Sequence, residues 1–218
     1  LTYFTILPLF GKSLEPAQKY AMLMPALALR QKELALELTG KLLAAMPGMQ
    51  DPRFARALIL VCAHSDDGAM GIIVNRPIPD MPIASLLEKL GIDAPSPIDL
   101  PVHYGGPVEA GRGFILHEIG YPTEAAVLDI AGGFQMSATL DVLEALANGT
   151  GPQPALLALG YAGWGPQQLE GEIAENAWLT LDGMPSIVFA PDARAKWASA
   201  LRQAGVDPVS LSGAAGHA

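Results

Sequence analysis

Residues 57–77 read ALILVCAHSDDGAMGIIVNRP. Two β-rich apolar runs, 57–64 and 70–75, flank the turn sequence Asp66-Asp67-Gly68. Strand therefore follows strand with no helix between them. Upstream, residues 41–46 (KLLAAM) form another strand, set off by the turn-rich PGMQDPR of 47–53. Downstream the order is mixed. A helix over 83–90 is stopped by Gly91, and a Pro-rich loop follows at 94–101. Short strands at 102–104 and 113–117 surround Gly105-Gly106-Pro107, with a further strand at 126–130. Thr139 caps a helix over 140–147, and 155–161 is an apolar strand. Gly165-Pro166 opens a helix through Asn176, 186–190 is a strand, and Asp192 caps a last helix ending at Ala204-Gly205. Regular strand–helix alternation is absent, so the pattern predicts an α+β fold in a single domain, with a largely antiparallel or mixed sheet.

The 218 residues are half hydrophobic, enough for a sizeable core. The formal charge is −9, and its placement is uneven. Between Arg112 and Arg194 there is no Lys or Arg, while that stretch holds ten acids. This argues against wrapping of nucleic acid by phosphate neutralisation, leaving only a local basic patch of Arg53, Arg56, Arg76 and Arg112, and direct DNA binding is disfavoured overall. One cysteine, Cys62, excludes an internal disulfide framework and a cysteine-rich zinc site. No apolar run reaches the ~18 residues of a membrane-spanning helix. Residues 1–37 read as an N-terminal extension that begins at Leu1, 38–209 as the domain, and 210–218 as a loose tail. Residues 20–28 (YAMLMPALA) are signal-peptide-like, but Pro25 interrupts them, and a tethered extension is preferred to export. Residues 30–38 have helical composition.

Five blocks carry a family resemblance. They are LTGKLLAAMPGMQDPRFARALILVCAH (38–64), GAMGIIVNRP (68–77), VHYGGPV (102–108), RGFILH (112–117) and LALGYAGWGPQQLEGEIAENAWL (157–179). In this order they resemble the AlgH/YqgE family of bacterial proteins, from about Leu38 to Pro191. The resemblance implies a sheet curling toward a barrel, flanked by helices, in a cytoplasmic protein. Its family label points to transcriptional regulation and brings no catalytic mechanism or cofactor. The extension before Leu38 departs from the family, whose members usually begin near that position.

Cys62 and His64 share one face of a strand, with Cα atoms about 6.6 Å apart. The run Leu58, Leu60, Cys62, His64 reads as a core face ending at a sheet edge, so Cys62 reads as core rather than nucleophile. His64, His103 and His117 sit at strand ends without ligand spacing, so no metal is expected. The block Gly160-Tyr-Ala-Gly-Trp-Gly165-Pro166 joins a strand to a helix N-terminus, where free N–H groups suit an anion. Any countercharge comes from Arg76 or Arg112. At 100° per residue, Glu172 and Asn176 fall on the Leu169 side of the helix, and Glu170 points away to the surface. A carboxylate at the core boundary needs a partner, and Arg76 or Arg112 is the expected one.

These readings converge on one patch of Asn75, Arg76, Gly105, Gly106, Arg112, Gly163, Trp164, Glu172 and Asn176. The expected function is a non-catalytic cytoplasmic binding or regulatory protein that holds a small anionic ligand or a protein partner, without cofactor. The alternative is a hydrolytic enzyme with Glu172 or His64 as acid or base and the turn at 163–165 as oxyanion site. A direct DNA-binding regulator is the third reading, disfavoured by charge.

Overall fold

The computed structural model describes residues 37–123 and 126–209, and the fold is that of the unit Leu38–Ala218. The expectations for the signal-like segment, for the helix beginning at Arg30 and for the tail lie outside the described residues. Among those described, the elements run β1 (Lys41–Ala45), β2 (Leu58–Ser65), β3 (Gly68–Ile73), α1 (Ile83–Leu90), β4 (Val102–Tyr104), β5 (Val108–Glu118), β6 (Val127–Ile130), β7 (Phe134–Ser137), α2 (Leu140–Ala147), β8 (Ala155–Trp164), α3 (Gln168–Ala174), β9 (Trp178–Asp182), α4 (Pro185–Val188) and α5 (Ala193–Gln203).

The nine strands form one sheet in the order β6-β7-β5-β8-β3-β2-β1-β9, with β4 beside β8. The β4–β8 pair is parallel, and the other strand pairs are antiparallel. The fold is α+β with a curled half-barrel sheet. The curl is visible where the two ends of the strand order approach each other. Gly40, just before β1, lies against Ala131 in the β6–β7 turn, and Gly183, just after β9, lies against Gly40 and Phe134.

Period-two patterning assigns the faces of β2. Leu58, Leu60 and Cys62 enter one buried cluster with Phe114, Leu116, Trp197 and Leu201. Ala57, Ile59 and Val61 enter another, with Trp164, Leu169 and Trp178. Helices α1 and α2 cover Val102, Ile115 and Leu157 in a third. Residues of α4 and α5 (Ile187, Val188, Trp197, Leu201) join the first cluster, to which Met70, Phe114, Met136 and Tyr161 also belong or against which they pack. These last four also line an open cavity, so the apolar interior of the sheet runs on into a groove.

Several expectations change. The block around Gly160 is strand, not turn: β8 continues through Trp164 because Ala69, Met70 and Gly71 pair with Trp164, Gly163 and Ala162. Helix α3 begins at Gln168 rather than at Pro166 and ends at Ala174, and Asn176 is left-handed at φ 59°. Residues 185–188 form helix α4, where the apolar run was read as strand. Strands β7 and β9 were not read from the sequence. By contrast α1 ends as expected at Gly91 in the left-handed conformation (φ 70°), and Asp192 caps α5 by accepting from the N–H groups of Arg194 and Ala195.

Gly105 and Gly106 have a packing role. A β-carbon on Gly105 would overlap the Gly160 carbonyl, and one on Gly106 would overlap the Tyr161 backbone. The turn between β4 and β5 thus lies directly on β8, and Ile73 N–H donates to the Gly105 carbonyl at 2.9 Å.

Candidate functional site

The groove has a volume of about 840 Å³ on the concave side of the sheet. Its floor takes alternate residues of β5 and its neighbour, Arg112 and Phe114 with Met136 and Ala138. One rim is Ala63, His64 and Ser65, with Asp67 in the hairpin turn and Met70 beyond it. The other rim is Ala126, Val127 and Leu128. Tyr161, Gly163 and Trp164 close the wall on the β8 side.

His64 Nε2 lies 2.6 Å from Glu170 Oε1, joining the end of β2 to helix α3. The imidazole is 11% exposed and the carboxylate 39%. Glu170 is held below the ordinary carboxylate range. Partial burial pushes it up, and the bond from its own backbone N–H with the hydrogen bond and charge of His64 outweighs that. Glu170 is therefore half of a paired site rather than the free surface acid that its helical position implied. Across the groove, Arg112 pairs with Glu109 at 3.2 Å and stacks over Phe114 at 5.3 Å. Tyr161 Oη donates to the other Glu109 oxygen at 3.3 Å.

Glu172 is satisfied from a different direction than the sequence suggested. One oxygen accepts from the indole N–H groups of Trp164 (2.9 Å) and Trp178 (2.7 Å), the other from Gln168 Nε2 (2.9 Å). Arg76 and Arg112 are not its partners. Arg76 donates to the carbonyls of Arg53 and Ala55, the latter at 2.6 Å, and so ties the loop before β2 to the end of β3. Asn75 does similar work, accepting from Leu58 N–H and donating to the Arg56 carbonyl, both at 2.9 Å. Gly165 N–H, expected to be open to an anion, donates to Gln168 Oε1 at 3.0 Å.

The nine patch residues therefore divide. Arg112, Gly163 and Trp164 line the concave groove. Gly163, Trp164, Glu172 and Asn176 line a second cavity of about 770 Å³ with Phe54 and Trp178. Asn75, Arg76, Gly105 and Gly106 line neither and hold backbone together. Sequence reasoning left Glu170, Tyr161 and the β6 rim out of the site. For Glu170 the sequence carried no signal, because helical periodicity turned it to the surface.

The three histidines are apart in role. His103 Nδ1 faces the Pro101 carbonyl at 3.1 Å, and burial followed by the Lys196 charge pushes its pKa down to about 4. His117 lies between the Glu118 carbonyl (3.0 Å) and Ser137 Oγ (3.3 Å). Among the described residues no three His, Cys, Asp or Glu side chains are grouped to hold a metal ion. Cys62 is buried at a β-bulge, its thiol donates to the Leu60 carbonyl at 3.5 Å, and burial pushes its pKa up to about 12. Its thiol is expected to resist disulfide reagents in the native protein at pH 8 and to react fully on unfolding, as a colorimetric thiol titration would record.

Residues 42–209 match the AlgH-like family, DUF179. The chain belongs to the AlgH-like family. A UPF0301 protein of Cereibacter sphaeroides is 53% identical over 184 residues, covering 84% of this chain and all of the relative. A UPF0301 protein of Paracoccus denitrificans is 54% identical over 186 residues, covering 83% and 97%. The solution structure of the AlgH protein from Pseudomonas aeruginosa is similar at TM-score 0.69 and 40% identity, over 84% of this chain and 97% of that one. A crystal structure of DIP2367 from Corynebacterium diphtheriae shares the fold at TM-score 0.62 and 23% identity, over 83% and 92%. In this AlgH-like chain, no helix among the described residues is long and apolar enough to cross a membrane.

Proposed function

We propose that this AlgH-like protein is a non-catalytic binding protein of the cytoplasm that acts in regulation indirectly, through what its concave groove holds. The observation that carries the reading is the groove itself. It is an open cavity of about 840 Å³ whose floor continues the apolar core and whose polar side chains come from distant strands. Arg112 provides the positive charge for anion recognition, and Tyr161 and Trp164 provide flat apolar surface. The Cys62 thiol is withdrawn into the core, and the Glu172 carboxylate accepts three hydrogen bonds, which leaves neither poised for bond chemistry. Direct DNA binding is opposed by the net charge of −9.

One observation favours a catalytic alternative. The His64–Glu170 pair at 2.6 Å is an arrangement suited to a general base. Two measurements on the full chain separate the readings. Titration with small carboxylates and phosphates is expected to move the amide resonances of His64, Arg112 and Trp164. A panel of activated esters and phosphates is expected to give no turnover above background. Turnover that disappears in Glu170→Gln would replace the binding reading with the catalytic one.

A further inference from the structure

A smaller cavity, an apolar slot of about 200 Å³, lies between helices α1 and α2 and the sheet. It exists because a row of side chains stops. Residues 111, 113 and 115 of β5 all line it, on the face of the strand opposite Phe114. Ile115 fills its place and is buried with Leu143, Leu146 and Leu157. The next two positions in the row are Gly113 and Gly111. A β-carbon on Gly113 would meet only Leu159 Cδ2, at 4.0 Å, and one on Gly111 would meet nothing within 4 Å. Neither glycine has a positive φ, so what the two contribute is space. Leu86, Leu90, Leu140 and Leu143 line the slot from the helices, and Leu90 and Leu140 remain 44% and 54% exposed.

The slot meets the groove at a charge. Arg112 and Ala138 line both cavities. They lie just past the point where the β5–β7 ladder stops, at Ile115 and Ser137, so the cavities adjoin around that end. Among the described residues Arg112 is the one charged side chain on the slot. Thr139 Oγ1, also at the slot, is buried without a hydrogen-bond partner among the described residues and makes no cap bond to α2. Arg112 already carries a carboxylate, since Glu109 bridges it (3.2 Å) and Tyr161 Oη (3.3 Å). That ion pair is 56% and 50% exposed, and such pairs exchange readily. Glu109 is held there at φ 47°, a left-handed conformation that a residue with a β-carbon adopts at a cost.

We infer that the slot and the adjoining end of the groove bind a free medium-chain monocarboxylic acid. Its carboxylate replaces that of Glu109 on Arg112 and accepts from Thr139 Oγ1, and its chain lies among the leucines of the slot. This rests on the reading of the groove as an anion-binding surface and names the ligand class. The volume sets the length. An apolar cavity of ~150 Å³ takes a benzene ring, so this one takes a chain of about six to eight carbons. The charge sets the head group. An acyl thioester or an alcohol brings no negative charge to Arg112, and the two long chains of a phospholipid exceed the slot. The chain also covers the exposed faces of Leu90 and Leu140, and each methylene it buries is worth about a factor of four in affinity.

The test uses the full chain and four probes: acetate, butanoate, octanoate and octanol. Titration followed by methyl and amide resonances is expected to show saturable binding of octanoate at least a hundredfold tighter than that of acetate, with butanoate between them. The methyl resonances of Leu86, Leu90, Leu140 and Leu143 are expected to move with octanoate and to stay in place with acetate. Octanol is expected to bind at least tenfold more weakly than octanoate, and Arg112→Gln to remove that difference. Gly113→Leu fills the slot and is expected to abolish the dependence on chain length. Circular dichroism confirms that both variants are folded, and the four-probe series on the wild type needs no variant. Three outcomes would overturn the inference: octanoate binding no tighter than acetate, octanol binding as tightly as octanoate, or shifts that leave the slot leucines unmoved. If acetate and phosphate still moved the groove resonances while chain length had no effect, the binding reading would survive and only the acyl ligand would be lost.

Discussion

Replacing Glu172 by leucine is expected to lower stability by about 3 kcal/mol, or roughly 6–12 °C in thermal midpoint for a chain of this size. The carboxylate joins three elements: Trp164 at the end of β8, Trp178 at the start of β9 and Gln168 in α3. The two indoles are 8% and 3% exposed and meet edge to face at 6.1 Å. Leucine leaves both N–H groups buried without an acceptor, and each orphaned group costs on the order of 1–3 kcal/mol. Glutamine keeps one oxygen and is expected to lose about 1 kcal/mol, because a carbonyl accepts from indole without the charge. Urea denaturation of the two variants checks the order. Equal losses in both would show that charge rather than acceptor geometry is what α3 needs from Glu172.

The second large effect is a pH dependence. Lys196 on α5 is 2% exposed, and its Nζ donates to the carbonyls of Val74 (2.9 Å) and Val188 (2.6 Å). Burial pushes its pKa down from the ordinary 10.5 to about 8. The folded state thus binds the proton less tightly than the unfolded chain. Between about pH 8 and 10.5 the unfolded state carries more protons at this group, so stability rises with pH through it. Below that window the amine is charged in both states and the cost of burying it is paid in full. The rise is on the order of 3 kcal/mol. A neutral amine retains two N–H groups, matching the two carbonyls. Lys196→Met removes the titration, so the stability gap between wild type and variant is expected to widen in favour of wild type from pH 7.5 toward pH 10. A gap that stays constant across that range would show that the ammonium is as comfortable folded as unfolded. His103, held neutral nearby, does not titrate in this window.

Local signals were legible where one residue decided the local geometry. Gly91 ended α1 because a left-handed residue costs glycine little, and Asp192 began α5 because its side chain meets two free N–H groups. Apolar runs without a period were the failures. Residues 186–190 are as apolar as a buried strand, yet Pro185 at the first helical position and packing beside α5 put 185–188 in α4. The glycine-rich end of β8 resembled a turn and became strand because β3 pairs with it. Helical periodicity placed Glu172 inward but said nothing of its partners, since the indoles that bind it sit on strands whose ends meet only in the folded sheet.

The amino-acid order by itself determined the α+β class, the alternating faces of β2 as far as the bulge at Cys62, the boundaries of α1 and α2, and the uneven placement of charge. These follow from backbone preference, side-chain period and composition, which act over a few residues or over the whole chain at once. The tertiary structure alone decided that His64 meets Glu170 across 106 positions, that Arg76 serves the backbone, and that the ends of β2 and β6 line one groove. Those depend on how far the sheet curls before its ends approach. The curl is the sum of many strand pairings, and no single stretch of sequence encodes it.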